Sequence, residues 1–367
     1  MQPTEQLINE LQSFGVRLAN PKIGADSRRG GAGPSDHKAV TINDMTVMVP
    51  VHTANAFESP YYIDAPDASG KTRVLRDGVP LADISFPLQP RFYGLQTSDG
   101  IPYSKIAVLH GRDVLATTVL QTCIRYQSRT KTCQFCSIGQ SLAAGRTLAH
   151  KTPAQLAEVA KAAVELDGIK HMVMTTGTPA GADRGCSVLA DSAAAVKAAV
   201  DLPIQVQSEP PDDDVWFERL RRAGADSLGM HLEAVTPAVR KRIMPGKAQV
   251  SIERYMSAFA AAVPVFGRGQ VSTYILAGLG DTPAEILSLC ERVIALGVYP
   301  FVVPFVPISG TPLESHPTPT PAFMHSILKP LSRMMSAGGI RSEDVKAGCA
   351  KCGACSALSS YERKVLS

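Results

Sequence analysis

The sequence predicts an α/β fold: a partial (β/α)6 TIM-type barrel with a small β-rich N-terminal region and a cysteine-rich C-terminal tail. Two observations predict the barrel. From about residue 113, β-type runs alternate with helical stretches six times in about 220 residues, and such alternation implies a parallel sheet joined by right-handed crossovers. Polar and small residues that do not fit a core gather where those runs end, as chemistry gathers at the C-terminal ends of barrel strands. Six units suit a partial barrel better than a closed eight-unit one.

In chain order, residues 1–22 have the spacing of an amphipathic helix, and 24–37, rich in Gly, Ser and Arg, form a loop. Residues 38–112 carry the β-like runs AVTINDMTVMVPV and KIAVLHG among the turn signals APDASG, RDG and SDG. The first barrel strand is DVLATTVLQTC, ending at Cys123. A helix over about 152–167 opens on Thr152-Pro153, an N-cap followed by a first-turn proline. Further strands are expected at 171–177, 203–209, 225–233, 270–279 and 298–306. Helices are expected at about 187–200, 213–223, 236–243, 251–262, 283–296 and 321–336. The chain thus divides into an N-terminal helix and β-rich region (1–112), the barrel (113–320), and a helix with a tail (321–367). The tail is too small for a domain and is expected to cap the barrel mouth if a bound cluster anchors it.

With 367 residues, 45% of them hydrophobic, the chain is long enough for one large core and a small appendage. Its net charge of +4 is mild, and no Lys/Arg run suggests a nucleic-acid partner. Arg219, Arg221 and Arg222 fall on a predicted helix, where a solvated face explains them. No apolar run reaches the length of a membrane span, and the polar N-terminus is unlike a secretory signal. A cytoplasmic protein without membrane partners is the expectation.

Six of the eight cysteines fall in two tight groups: Cys123, Cys133 and Cys136, and Cys349, Cys352 and Cys355. In a cytosolic chain, clustered thiolates point to metal rather than to disulfides. Cys133-Gln-Phe-Cys136 is a CxxC with an aromatic residue before the second cysteine, and Cys123 follows a strand. Three thiolates hold three irons of a 4Fe–4S cluster and leave the fourth open. The amino and carboxylate groups of S-adenosylmethionine (SAM) chelate such an iron, and an electron from the cluster then yields a 5′-deoxyadenosyl radical. A structural zinc site is the alternative. The tail repeats two CxxC steps, which suggests a second, auxiliary 4Fe–4S cluster, with zinc again the alternative.

On these residues the sequence resembles the radical SAM superfamily, most closely its biotin synthase and lipoyl synthase-like branch, over roughly 113–315. The whole pattern also looks like an uncharacterised radical SAM group encoded beside nitrilases. The family's usual motif is CxxxCxxC; here nine residues separate Cys123 from Cys133. The resemblance implies that Cys123, Cys133 and Cys136 are the catalytic cluster's ligands. It implies SAM contacts by Thr176, Gly177 and Thr178 after the second strand, and by Ser208 and Glu209 after the third. In HLEAVTPAVRKRIMPGKAQVSIER, Glu233 would meet the SAM amino or ribose groups and Arg254 its carboxylate. Phe135, Gly278 in YILAGLGDT, and Val306 and Ile308 in PFVPISGTPLE would lie near the adenine. Ser359-Ser360-Tyr361 resembles the C-terminal tripeptide of lipoyl synthase, which makes Ser360 the expected fourth ligand beside the tail cysteines.

The expected protein is therefore an enzyme that acts on a small molecule, reduced by a flavodoxin or ferredoxin. Its auxiliary cluster would serve sulfur insertion or, alternatively, electron transfer during oxidation or rearrangement. A zinc-stabilised binding barrel is the rival from another class. His231 is a possible substrate contact or a core histidine, and Tyr274 a possible inward-facing relay or a packed aromatic. Cys290 belongs to the core, while Cys186 is a buried thiol or a mouth residue. His171, at the start of a strand, belongs at the barrel bottom, away from the chemistry. Asp212, Asp213 and Asp214 complement a helix dipole.

Overall fold

A computed structural model of the chain describes residues 4–19, 36–126, 128 and 130–366. The Gly/Ser/Arg-rich stretch at 24–37 lies outside the described residues except for Asp36 and His37. The N-terminal helix α1 (Thr4–Phe14) ends where Gly15 takes a φ of +70°, earlier than its apolar spacing suggested. Six strands follow: β1 (Arg17–Leu18), β2 (His37–Ile42), β3 (Met45–Pro50), β4 (Tyr61–Ile63), β5 (Lys71–Arg76) and β6 (Val79–Ser85). They form one sheet in the order β1-β4-β5-β6-β2-β3, and the short helix α2 (Ala54–Phe57) interrupts them.

A seven-stranded sheet makes the barrel wall. Its first strand, β7 (Val108–His110), pairs antiparallel with β8 (Val114–Thr118). KIAVLHG therefore contributes to the barrel sheet rather than to the N-terminal one. The next strands are parallel: β9 (His171–Thr175), β10 (Ile204–Gln207), β11 (Ser227–Gly229), β12 (Val271–Ala277) and β13 (Tyr299–Pro304), in spatial order β13-β12-β11-β10-β9-β8-β7. This is a partial (β/α)6 barrel. β8 stops at Thr118, short of Cys123, because Val119 and Gly177 turn the ladder into loop hydrogen bonds with Thr175 and Leu120.

The helices are α3 (Ile138–Ala143), α4 (Pro153–Asp167), α5 (Cys186–Ala199), α6 (Val215–Arg222), α7 (Pro237–Ile243), α8 (Ile252–Phe266), α9 (Pro283–Leu296) and α10 (Pro321–Ala337). Their starts are written locally. Thr152, Thr236, Thr282 and Thr320 each cap a helix whose first residue is proline, which lacks the N–H that would go unpaired there. Glu285 and Gln155 complete reciprocal capping boxes. All six residues of β13 are buried, as expected of a parallel strand covered on both faces.

After α10 the chain crosses beneath the barrel instead of capping its mouth. Gln270, just before β12, bonds Asp344 and Lys346, and His171, the first residue of β9, accepts the Gly348 N–H at 3.2 Å. The tail then enters the barrel through its floor as α11 (Cys349–Cys352), followed by α12 (Leu358–Leu366). Ala354 is clamped from the N-terminal region: Met48 N–H and Gln12 Nε2 both donate to its carbonyl, at 2.7 and 3.0 Å. Gly348 has φ +107°, and a Cβ there would stand 2.1 Å from Gln205 Cδ, so only glycine fits. His171 is therefore at the bottom of the barrel, as expected, but that is where the tail docks. No helix among the described residues is long and apolar enough to cross a membrane.

Candidate active site

One cavity of about 990 Å³ occupies the barrel interior, and both cysteine groups face it. Cys123, Cys133 and Cys136 line it from the loop after β8, while Cys349 and Cys355 line it from the tail below. The upper loop is held by backbone: Cys136 N–H bonds the Cys133 carbonyl, Gln134 N–H bonds Ile243, and Ile124 N–H bonds Thr178. Burial pushes the Cys136 thiol up to about 12 and raises Cys133 as well, with Glu233 adding to both. Among the described residues no three His, Cys, Asp or Glu side chains converge on a single ion position.

Two buried ion pairs stand beside the upper triad. Arg125 grips Glu209 through two hydrogen bonds, Nε–Oε1 at 2.9 Å and NH2–Oε2 at 2.6 Å, and Thr178 Oγ1 donates to the same carboxylate at 2.9 Å. Burial alone would raise the Glu209 carboxyl, but hydrogen bonding from Arg125 and the charge of Lys247 outweigh it and lower its pKa. Glu233 has φ +63°, a strained conformation for a residue with a side chain, and its backbone is fixed by bonds with Tyr274 and Leu276. Lys247 Nζ lies 2.8 Å from Glu233 Oε2, which makes the two a buried ion pair.

Most of the residues expected from the sequence line this cavity: Phe135, Thr176, Gly177, Thr178, Ser208, Glu209, Glu233, Val306 and Ile308. Three do not. Arg254 sits on the first turn of α8, in the outer helical layer, where it bonds Pro211 O and Asp214 at 2.5 and 2.7 Å. Gly278, with φ +106°, packs against the Pro319 ring outside the cavity wall. Ser360 donates its hydroxyl to Ala357 O within the first turn of α12 and does not face the cavity. Lys38, Lys105, Arg146 and Lys151 also line the cavity, but the cations within electrostatic reach of the upper cysteines are Arg125 and Lys247. Arg125 lies within the Cys123–Cys133 gap and Lys247 within the PGK step of the quoted glutamate-to-arginine stretch, so both were visible as charges inside motifs.

The lower triad has its own surroundings. Gln207 Nε2 donates to Cys349 Sγ at 3.3 Å, and the buried phenol of Tyr274 lies within electrostatic reach of Cys355. His110 Nε2 is 3.6 Å from Cys355 Sγ. Burial raises all three thiols, Cys352 to about 12. His231 lies between the triads; burial lowers its pKa to about 3, and its Nδ1 accepts the Tyr274 N–H at 3.2 Å. Cys186 is buried beside Ser208, and Cys290 is core.

Residues 130–293 match the sequence model of the radical SAM superfamily. The chain contains a radical SAM domain. The match spans Cys133 and Cys136 and begins just after Cys123. The bacteriochlorophyllide c C-7(1)-hydroxylase of Chlorobaculum limnaeum is 26% identical over 242 residues, 60% of this chain and 60% of the hydroxylase. The chain thus spans about 60% of the length of that curated relative. Among solved structures, methylornithine synthase is similar at 17% identity (68% of this chain, 69% of that one, TM-score 0.48). A radical SAM methyltransferase from Sphaerobacter thermophilus is similar at 16% identity (77% and 75%, TM-score 0.48). A radical SAM domain implies a 4Fe–4S cluster and SAM, and the residues present suit both. Three thiols face one space, and the Glu233–Lys247 pair puts a carboxylate and an ammonium beside them.

Proposed function

We propose that this chain is a radical SAM enzyme in which Cys123, Cys133 and Cys136 hold the catalytic cluster and Cys349, Cys352 and Cys355 hold a second one. The observation that carries the reading is one cavity lined by Cys123, Cys133 and Cys136 from above and by Cys349 and Cys355 from below. When bound, the reduced catalytic cluster supplies the electron that cleaves SAM, and the second cluster supplies a one-electron acceptor or donor.

The chain's own residues do the rest. Glu233 Oε2 accepts the SAM amino group, and Lys247 pairs with the SAM carboxylate, the role expected of Arg254 from the sequence. Arg125 and Thr178 fix Glu209 in its ionised form as an acceptor for hydroxyl groups of the ligand. Phe135, Val306 and Ile308 provide the apolar wall for adenine. A cavity of about 990 Å³ is at the upper end of the range for small-ligand pockets, so beside SAM it accommodates a small substrate. The tail floor and the N-terminal sheet keep bulk water from the reacting centre.

Between the two uses of the second cluster, electron transfer is favoured over sulfur insertion. Ser360, which supported the latter, points away. Gln207 donates to Cys349 Sγ, and such a bond raises a cluster's potential toward acceptance of an electron. A flavodoxin or ferredoxin is the reductant.

Anaerobic reconstitution tests the reading. The unaltered chain should hold about eight irons, and either triple Cys→Ala variant about four. Formation of 5′-deoxyadenosine on reduction with SAM should vanish with Cys123, Cys133 and Cys136 and persist without the tail cysteines. A colourless protein holding only zinc overturns it.

A further inference from the structure

We propose that His110 is the fourth protein ligand of the cluster held by Cys349, Cys352 and Cys355. The proposal rests on reading the tail triad as an iron–sulfur site. It assigns a ligand that the tail itself does not contain, from a strand separated from Cys355 by 245 positions.

The β7–β8 turn and the tail are in direct contact. Gly111, with φ +61°, faces Cys352: a Cβ there would stand 3.2 Å from its Sγ and 3.6 Å from Ala354 Cβ. The preceding residue, His110, ends β7 and puts Nε2 3.6 Å from Cys355 Sγ. It also lines the cavity that the cysteines face. At this distance the ring and the thiol share a hydrogen-bond contact.

The other polar groups around the triad are poorer ligands than an imidazole. Ser360 is bonded within its own helix turn. Gln207 presents amide N–H groups, donating to Gln205 Oε1 at 2.7 Å and to Cys349 Sγ. Tyr274 is a buried phenol, whose ionisation burial and the nearby thiols strongly disfavour. Asp113, within electrostatic reach of Cys352, would add a fourth negative charge to a buried group. A neutral imidazole adds none. It coordinates through the Nε2 lone pair and keeps its proton on Nδ1. Histidine in place of a thiolate raises a cluster's potential, as in Rieske centres. A closed ligand set also keeps substrate off this cluster, which fits an electron-transfer role.

The test uses the full chain carrying C123A, C133A and C136A, reconstituted with iron and sulfide, so that only the lower site is filled. About four irons are expected. Pulsed EPR of the reduced cluster should show a strongly coupled nitrogen that changes isotope with 15N-histidine labelling. H110C should keep the iron, abolish that coupling and lower the reduction potential, whereas D113N should leave all three unchanged. Four irons without a coupled histidine nitrogen, or a coupling that survives H110C, overturns the ligand assignment and leaves the second cluster standing. Absence of iron in this background, when the unaltered chain holds about four, removes the second cluster and the proposal with it. The same H110C and labelling comparison in the chain with all cysteines intact covers a failure of the triple variant to fold, with the same two outcomes.

Discussion

Lys247 Nζ and Glu233 Oε2 meet at 2.8 Å inside the cavity, beneath the loop that carries Cys133. Burial alone would lower the lysine's pKa, but the charges of Glu233 and Glu209 raise it, so the ammonium persists. In the proposed enzyme this pair supplies the groups that meet the two ends of the SAM amino-acid head. K247M should weaken SAM binding about tenfold or more, a loss of about 1.4 kcal/mol or more, while the iron content holds. K247R should recover much of the affinity. Equilibrium dialysis with SAM, alongside iron analysis, measures both.

Arg125 and Glu209 form the second buried pair. Removing one partner leaves the other charged without compensation, and R125M should cost about 3–5 kcal/mol. R125M/E209M should recover most of that loss, because the uncompensated charge is gone. A double-mutant cycle in thermal or denaturant unfolding gives the coupling, and additivity of the two single changes would contradict the pairing.

Gly177 closes the second strand's loop against the one bearing Cys123. A Cβ at Gly177 would stand 2.1 Å from the Thr122 carbonyl oxygen, and backbone does not yield as a side chain does. G177A should displace Cys123, lower the iron held by the upper triad, and reduce 5′-deoxyadenosine formation at least about tenfold, at an overpacking cost of about 1–3 kcal/mol. Iron retention in the lower site distinguishes this from global unfolding.

The floor of the barrel should be acid-sensitive. Burial, with the charge of Lys351, lowers the His171 pKa from 6.5 to about 4. Its neutral Nδ1 accepts the Gly348 N–H. The unfolded chain binds this proton first, so stability is full above pH 6.5 and falls as the pH drops toward 4. The loss from this group amounts to about 3 kcal/mol, from about 1.36 kcal/mol per pKa unit. H171N, which keeps an acceptor but does not titrate, should flatten the unfolding free energy across that window; an unchanged slope would contradict the assignment.

Much of this architecture was legible because it is written locally. The Thr-Pro helix starts and the alternation of apolar runs located the barrel strands and helices to within a few residues, since caps and periodicity act over one turn or one pleat. The upper cysteines were legible for the same reason. Arg254 was misplaced because motif order does not say which helix face a residue occupies: at the first turn of α8 it faces α6, whereas Lys247, seven residues earlier, turns inward. The position of the tail was illegible for a different reason. Its partners, Gln12, Met48, His171, Gln205 and Gln270, lie far away in sequence and offer only ordinary polar or apolar groups. The role of Lys247 could be read only from its burial beside Glu233.

The clamp on Ala354 also sets the order in which the molecule is put together. Gln12 and Ala354 are 342 positions apart, so their bond joins nearly opposite ends of the described chain. Contacts of that separation form late, after local helices and neighbouring strands. On that order the barrel wall exists before its base is sealed, and in the proposed enzyme iron would reach the lower thiols while the base is still ajar. Maturation would then be a timed sequence, with resistance to proteases in the segment after α10 reporting that loading is complete.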